Sequence, residues 1–335
     1  MENFWPYILI AEINGLVMNL ADKIIFIGGA PRSGTTLMKN ILDAHPDICS
    51  GPEFDIMPEI VRVWQLGVQK VREGRISAFL NEDQLRERFA SLVHSLLEPY
   101  RLGKNKACIA EKTPDNILVF TQINRLLPTA YLIHVIRDGR DVVSSMVGVA
   151  ESYRHAQEKV PTTIKNVEAC AQTWRRYVSA PFERPEVFQS TEFQRKYIEI
   201  RYENIIQDPE ATLRYVCRRL EVDFSPSMLT PHLFPHDLIT DDFWYNQTMM
   251  EGPLSQRSIG RWRRDLTLTQ RIIVAHYCQT DLQRFGYVEN KSWIKENMGR
   301  NRTGKLAEDI LTICRLAARS PMLMAGLLRT CINKH

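Results

Sequence analysis

Residues 24–38 read Ile-Ile-Phe-Ile-Gly-Gly-Ala-Pro-Arg-Ser-Gly-Thr-Thr-Leu-Met, and the fold turns on this stretch. Ile24 to Ile27 is short and wholly apolar. Such a run predicts a parallel strand covered on both faces, because a half-exposed strand would alternate. Gly28 to Thr36 then brings three glycines, a proline and three hydroxyl residues. Leu37, Ile41 and Leu42 follow at helical spacing. Strand, glycine-containing loop and helix is the layout of a phosphate cradle, in which loop N–H groups and the positive end of the helix converge on an anion.

The spacing can be set against the Walker A pattern, G-x-x-x-x-G-K-[ST]. Gly29, Gly34 and Thr36 fit it. Thr35 stands where the lysine belongs, and the cation sits inside the loop as Arg32. A kinase or ATPase wants that lysine on its β- and γ-phosphates, so its absence argues against an ordinary ATPase or kinase. A ligand-free turn is the competing reading. Arg32, Ser33, Thr35 and Thr36 together are poor packing residues and good oxyanion ligands.

The chain has 335 residues, 44% of them hydrophobic, enough for one large domain with an appendage. A net charge of +4, spread along the chain, does not predict a nucleic-acid partner. The seven cysteines are scattered and never in C-x-x-C spacing, which fits reduced thiols in a cytoplasmic protein and predicts no metal site. Phe4 to Leu20 is apolar but broken by Pro6, Glu12 and Asn14, with no basic region before it. It reads as a lead segment packing on the domain, with a membrane anchor as the alternative. The division is a lead segment at 1–20, a domain at 21–289, and a polar linker with a C-terminal helix at 290–335. The fold class is α/β: a P-loop-like parallel sheet flanked by helices, with a helical C-terminal extension.

Several strand ends carry charge. Helix 35–44 stops at His45-Pro46, where His45 suits a helix C-terminus. In the loop Ser50-Gly51-Pro52-Glu53-Phe54, Glu53 is either a general base or a solvated acid. Residues 56–101 are helical, divided at Gly74. Cys108-Ile109-Ala110 predicts a strand ending in Glu111-Lys112-Thr113-Pro114, so Lys112 lies at a strand tip, where open α/β sheets bind ligands. A helix over 116–127 follows. Tyr131 to Ile136 is the clearest strand, with His134 as a core residue, and Arg137-Asp-Gly-Arg-Asp141 opens the next helix. Arg137 and Ser145 would share a second phosphate, or Arg137, Asp138, Arg140 and Asp141 form a structural ion network. A helix over 164–180, a strand over 196–202 and a helix over 211–220 come next. Residues 223–256 lack periodicity, as a lid or substrate wall would. Arg257 to Arg264 gathers four arginines about Trp262, to close on an anion or to dock a helix. Leu306 to Ile332 is periodic enough for a helix against the domain, a dimer mate or a membrane surface.

Two anion motifs on one sheet resemble those of the sulfotransferases that use 3′-phosphoadenosine 5′-phosphosulfate (PAPS). Ile27 to Thr36 resembles their 5′-phosphosulfate loop, and Val135-Ile-Arg-Asp-Gly-Arg-Asp-Val-Val-Ser-Ser145 their 3′-phosphate motif. Over Ala21 to Asp47 the chain is similar to the tyrosylprotein sulfotransferases. Gly51-Pro52-Glu53 and Glu111-Lys112-Thr113-Pro114 also resemble motifs of the tyrosylprotein and broad bacterial-type enzymes. The resemblance implies an enzyme that moves a sulfuryl group from PAPS to an acceptor hydroxyl, on a sugar, lipid, small molecule or protein tyrosine, leaving adenosine 3′,5′-bisphosphate and needing no metal. It implies Glu53 as base and Arg32 and Lys112 as catalytic cations. Arg32, Ser33, Gly34, Thr35, Thr36, Arg137, Ser145, Tyr202 and Arg257 would hold the nucleotide. Two arginines that hold acidic peptides in the tyrosylprotein enzymes fall on Asp55 and Glu59, which reverses the local charge. No counterpart of their transmembrane anchor or of their lumenal cysteine pairs is expected. The alternatives are a P-loop kinase-like phosphotransferase and a non-catalytic nucleotide-binding protein.

Overall fold

The structure, a computed structural model, describes residues 23–237 and 252–295. Five parallel strands form its sheet in the order β2-β3-β1-β4-β5. These are β1 (Ile24–Gly28), β2 (Ile48–Cys49), β3 (Cys108–Lys112), β4 (Tyr131–Ile136) and β5 (Tyr197–Arg201). The order has a physical cause. β1, β3 and β4 are buried along their whole length, so they need neighbours on both edges and cover on both faces. Pairing puts Ile27 beside Lys112 on one side and Gly28 beside His134 on the other.

The side chains of β1 split two cores. Ile25 and Ile27 pack with Met38, Ile41 and Leu42 of helix α1 (Thr35–Asp43) and with Leu213 and Val216 of the helix Pro209–Leu220. Ile24 and Phe26 face the opposite layer. That layer holds α2 (Met57–Arg72), α3 (Glu82–Gly103), α4 (Phe120–Leu126), α5 (Gly139–His155), α6 (Val167–Ser179) and the helix Leu268–Arg284. α5 begins tight against α6, since a Cβ added at Gly139 would stand 2.6 Å from the Trp174 ring.

The expected strands and helices over 24–220 are present with three changes. The helix expected over 116–127 is a 3₁₀ turn, Pro114–Val119, followed by the short α4. The Asn116 amide donates to Glu111 and Ile117 packs under Gly28, so this turn follows the sheet edge rather than its own propensity. Strand β2 has two residues, too few to show a period. A helix at Thr191–Lys196, which the sequence pattern does not predict, leads into β5. Residues 223–237 hold two 3₁₀ turns, Pro226–Leu229 and Pro231–Leu233. The lead segment 1–20, residues 238–251 of the 223–256 stretch and the C-terminal helix lie outside the described residues. No helix among the described residues is long and apolar enough to cross a membrane.

His134 is fully buried, as expected of a core residue, and burial depresses its pKa to about 3. Its Nδ1 lies 2.7 Å from the Tyr197 hydroxyl, and Nε2 has no partner among the described residues. The folded pKa lies below the unfolded value. The stabilising contribution is therefore complete above about pH 6.5 and fades as pH falls toward 3. This single group is expected to cost on the order of 3 kcal/mol by pH 4. In urea titrations from pH 7 to 4, His134→Asn, which keeps an acceptor beside Tyr197 and takes no proton, should lose stability less steeply than the wild type.

Candidate active site

Between β1 and β4 the chain's crossovers leave in opposite directions, which opens a crevice at the strand tips. The loop after β1 rims it. Arg32 takes φ 73° and Gly34 φ 98°, and the loop turns directly into α1. Gly34 caps α1 with no side-chain bond, and no acid stands in the first turn. The first N–H groups of α1 have no intrahelical acceptor and face an anion site by geometry. Gly34 is also a packing requirement. A Cβ there would penetrate the Tyr202 ring, besides straining a positive φ.

The cleft holds about 160 Å³ and is lined by Arg32, Gly34, Thr35, Thr36, Arg137, Ser145 and Tyr202, all expected from the sequence. Asn40, Ser258 and Arg261 join them. The Arg32 Nε donates to the Ser145 hydroxyl at 3.1 Å, so the two motifs meet across one wall. Arg137 is buried and held from three sides. It donates to the Arg32 carbonyl at 3.0 Å and the Ser258 carbonyl at 2.5 Å, and stacks 4.4 Å over Tyr202. Its Nε is buried with no partner among the described residues. These hydrogen bonds go to neutral carbonyls, which orient the guanidinium, and the Asp141 carboxylate acts on it only through the field. Tyr202 is locked by a 2.7 Å hydrogen bond with Ser258.

Of the ion network expected over Arg137 to Asp141, part is present. Arg140 and Asp138 form an ion pair at 2.7 Å, and Arg140 stacks on Trp262. Arg137 is outside that pair. Asp141 accepts the Gly260 N–H at 2.7 Å and the Trp262 N–H at 3.0 Å. It thereby fixes residues 258–262 against the cleft. Burial, then the Asp138 charge, raises the Asp141 pKa to about 6.

Two expected nucleotide ligands sit elsewhere. Ser33 is fully buried, and its N–H donates to the Ala30 carbonyl at 3.0 Å. Arg257 is exposed and off the cleft lining, which instead takes Arg261 from the same arginine group.

Glu53 and Lys112 form an ion pair at the tip of β3, one strand over from the loop. Lys112 is buried and Glu53 partly exposed. The Gly29 N–H donates to the Pro114 carbonyl at 3.2 Å, which binds the β3 tip to the phosphate loop. The Glu53 loop is held by a residue of the Glu111-Lys112-Thr113-Pro114 stretch to which the sequence assigns no role. Glu111 is fully buried and accepts from the Phe54 N–H, the Thr113 hydroxyl and the Asn116 amide. Desolvation raises its pKa against those bonds. Lys39 lies outside the quoted motifs. It is buried one turn into α1, donates to the Asp237 carbonyl at 2.6 Å, and has its pKa lowered to about 8, chiefly by burial. A lysine among the buried positions Met38, Ile41 and Leu42 is the one signal the sequence offers for it.

A glycine loop and helix N-terminus at a switch point, with buried cations on both flanking strand tips, is an α/β arrangement suited to anionic groups. Residues 25–226 match the profile of the sulfotransferase family, and the chain belongs to that family. The family's reaction class is sulfuryl transfer. A provisionally named protein-tyrosine sulfotransferase of Caenorhabditis briggsae is 28% identical over 256 residues, 72% of this chain and 81% of that one. Protein-tyrosine sulfotransferase 1 of Danio rerio is 28% identical over 222 residues, 64% of this chain and 57% of its own length. The chain thus spans most of the worm protein and little more than half of the fish one. The solved sulfotransferase domain from the curacin biosynthetic pathway shares the fold at a TM-score of 0.52 and 17% identity, covering 77% of this chain and 96% of that one.

Gly34→Ala should lower stability by about 1–3 kcal/mol through strain and overlap. Adding Tyr202→Ala should recover part of that loss, a coupling that a double-mutant cycle in urea would read directly.

Proposed function

We propose that this enzyme transfers the sulfuryl group of PAPS to an acceptor hydroxyl and releases adenosine 3′,5′-bisphosphate. One observation carries the reading: Arg137, buried and with its Nε unpartnered among the described residues, stands across the cleft from the N-terminus of α1. That provides two separate places for anions, as a nucleotide with 5′ and 3′ groups requires. Arg137 and Ser145 would take the 3′-phosphate, with the Tyr202 ring beneath the guanidinium. The N–H groups of Gly34, Thr35 and Thr36, with Arg32, would take the 5′-phosphosulfate.

The chemistry then needs few parts. Glu53 accepts the acceptor's hydroxyl proton as its oxygen forms a bond to sulfur. The bond from sulfur to the 5′-phosphate oxygen breaks, and its electron pair stays on that phosphate. Lys112, beside Ile27 on the neighbouring strand, and Arg32 offset the charge developing there. Their value lies in being placed before the reaction starts, since sulfuryl transfer, like phosphoryl transfer, depends on alignment and electrostatics. The scheme uses no metal. Thr35 in the Walker lysine position argues against an ATP-dependent kinase. A reducing, cytoplasmic setting fits five free and buried cysteines among the described residues.

Glu53→Gln should lower kcat by about 10²- to 10⁴-fold in a labelled-PAPS assay, while the affinity for adenosine 3′,5′-bisphosphate stays within about twofold. Arg137→Ala should weaken that affinity by about 10- to 100-fold. A wild-type protein that fails to bind adenosine 3′,5′-bisphosphate by calorimetry would end the donor assignment.

A further inference from the structure

The helix pair beside the Glu53 loop carries an exposed apolar seam. On α2 and its N-cap, Ile56, Ile60, Val63 and Gly67 fall on one stripe, and on α3, Leu85, Leu92, Leu96 and Tyr100 do the same. The two stripes face each other. A Cβ at Gly67 would stand 2.8 Å from Leu85 Cδ2, and Gly51 lies against the Tyr100 ring, a Cβ there standing 3.3 Å from it. Arg72 pairs with Glu82 at 2.7 Å at the far end. The two contacts between the helices run antiparallel, and extending them at the helical rise brings Ile56 level with Leu96 and Ile60 with Leu92. Ile60 packs on the core, but Ile56, Val63, Leu92 and Leu96 remain 43%, 53%, 43% and 42% exposed. The exposed part runs about 10 Å along the helices at 1.5 Å per residue. It ends where Tyr100 meets Gly51, two residues from Glu53.

Charge narrows what can lie there. Asp55 stands beside Glu53, and its pKa is raised by burial, then by the charges of Glu53 and Asp115. Glu59, in the next turn, is paired with Arg62, so the Asp55 charge sets the field at this end. Anionic groups are repelled from this end of the seam, and the flat run of aliphatic side chains offers no donors to sugar hydroxyls. We propose that the acceptor is an uncharged or cationic amphiphile, whose hydroxyl meets Glu53 and whose hydrocarbon portion lies along the α2–α3 seam. The proposal rests on Glu53 as base and names the acceptor class of that same site. Solvent-exposed side chains of this kind gain from covering in proportion to the apolar area removed from water.

Full-length enzyme would be assayed with labelled PAPS and para-alkylphenols of increasing chain length, with adenosine 3′,5′-bisphosphate affinity measured in parallel. In the wild type, KM should fall about two- to fourfold per added methylene over the first several carbons. Leu92→Ser combined with Leu96→Ser should flatten that dependence while nucleotide affinity holds. Leu102→Ser, exposed on another face of α3, should retain it. A chain-length-independent KM in the wild type, an unflattened slope in the double variant, or a preference for an acidic tyrosine peptide would each overturn the proposal. Transfer to none of the phenols, with nucleotide binding intact, would overturn it and leave the donor assignment standing. A wild-type dimer by light scattering that the double variant dissolves would assign the seam to a second copy. Strong exchange protection of residues 92–96 in the monomer without acceptor would assign it to the chain itself. Either result would overturn the proposal.

Discussion

Pairing of β1 with a parallel neighbour on each edge is the constraint on which the site depends. Parallel strands end on one side of the sheet. Registry at Ile27 with Lys112 and at Gly28 with His134 therefore delivers a cation to either flank of the glycine loop. Neither cation could be left in that position by local structure alone. Lys112 is balanced by Glu53, and Arg137 by carbonyl dipoles and the Tyr202 face. The difference matters, because a carboxylate partner neutralises a charge and carbonyl partners only orient it.

Two buried carboxylates do similar work on the two sides of the cleft. Asp141 takes the N–H groups of Gly260 and Trp262, and through them presents the Ser258 carbonyl to Arg137. Glu111 takes the Phe54 N–H and so sets the loop that carries Glu53. Both are desolvated, and desolvation raises both pKa values. Each accepts backbone donors that a buried loop would otherwise leave unsatisfied. The nucleotide side and the acceptor side are thus organised by separate anchors. The first draws on a segment more than a hundred residues away in the chain, and the second on the adjoining strand.

The helix pair α2–α3 belongs to the acceptor side. Its inner faces complete the core beneath β1 and β3, while its outer seam stays apolar and open. A seam that served packing alone would be expected to close along its length, as it does at Gly67 and Leu85. Its open part lies nearest the Glu53 loop.

Much of this is legible in the amino-acid order. β1 and β4 declare themselves by unbroken apolar runs, and Arg32, Lys112, Arg137 and Ser145 by standing where such runs stop. Periodicity and glycine placement are local, so a single chain displays them. Ile48–Cys49 is too short to carry a period, and the turn at Pro114 yields to the Glu111–Asn116 contact rather than to helix propensity. Ser33 and Arg257 belong to the nucleotide motifs yet miss the cleft, because motif membership does not say which way a side chain turns. Lys39, Glu111 and Asp141 owe their roles to burial against partners far off in the chain, and desolvation is a property of the packed state. Local pattern was therefore enough to establish the sheet, the loop and the residue types at the strand tips. Which charges stay paired, which face a ligand and which apolar helices remain uncovered came from the packed molecule alone, because those outcomes depend on distances that close only on folding.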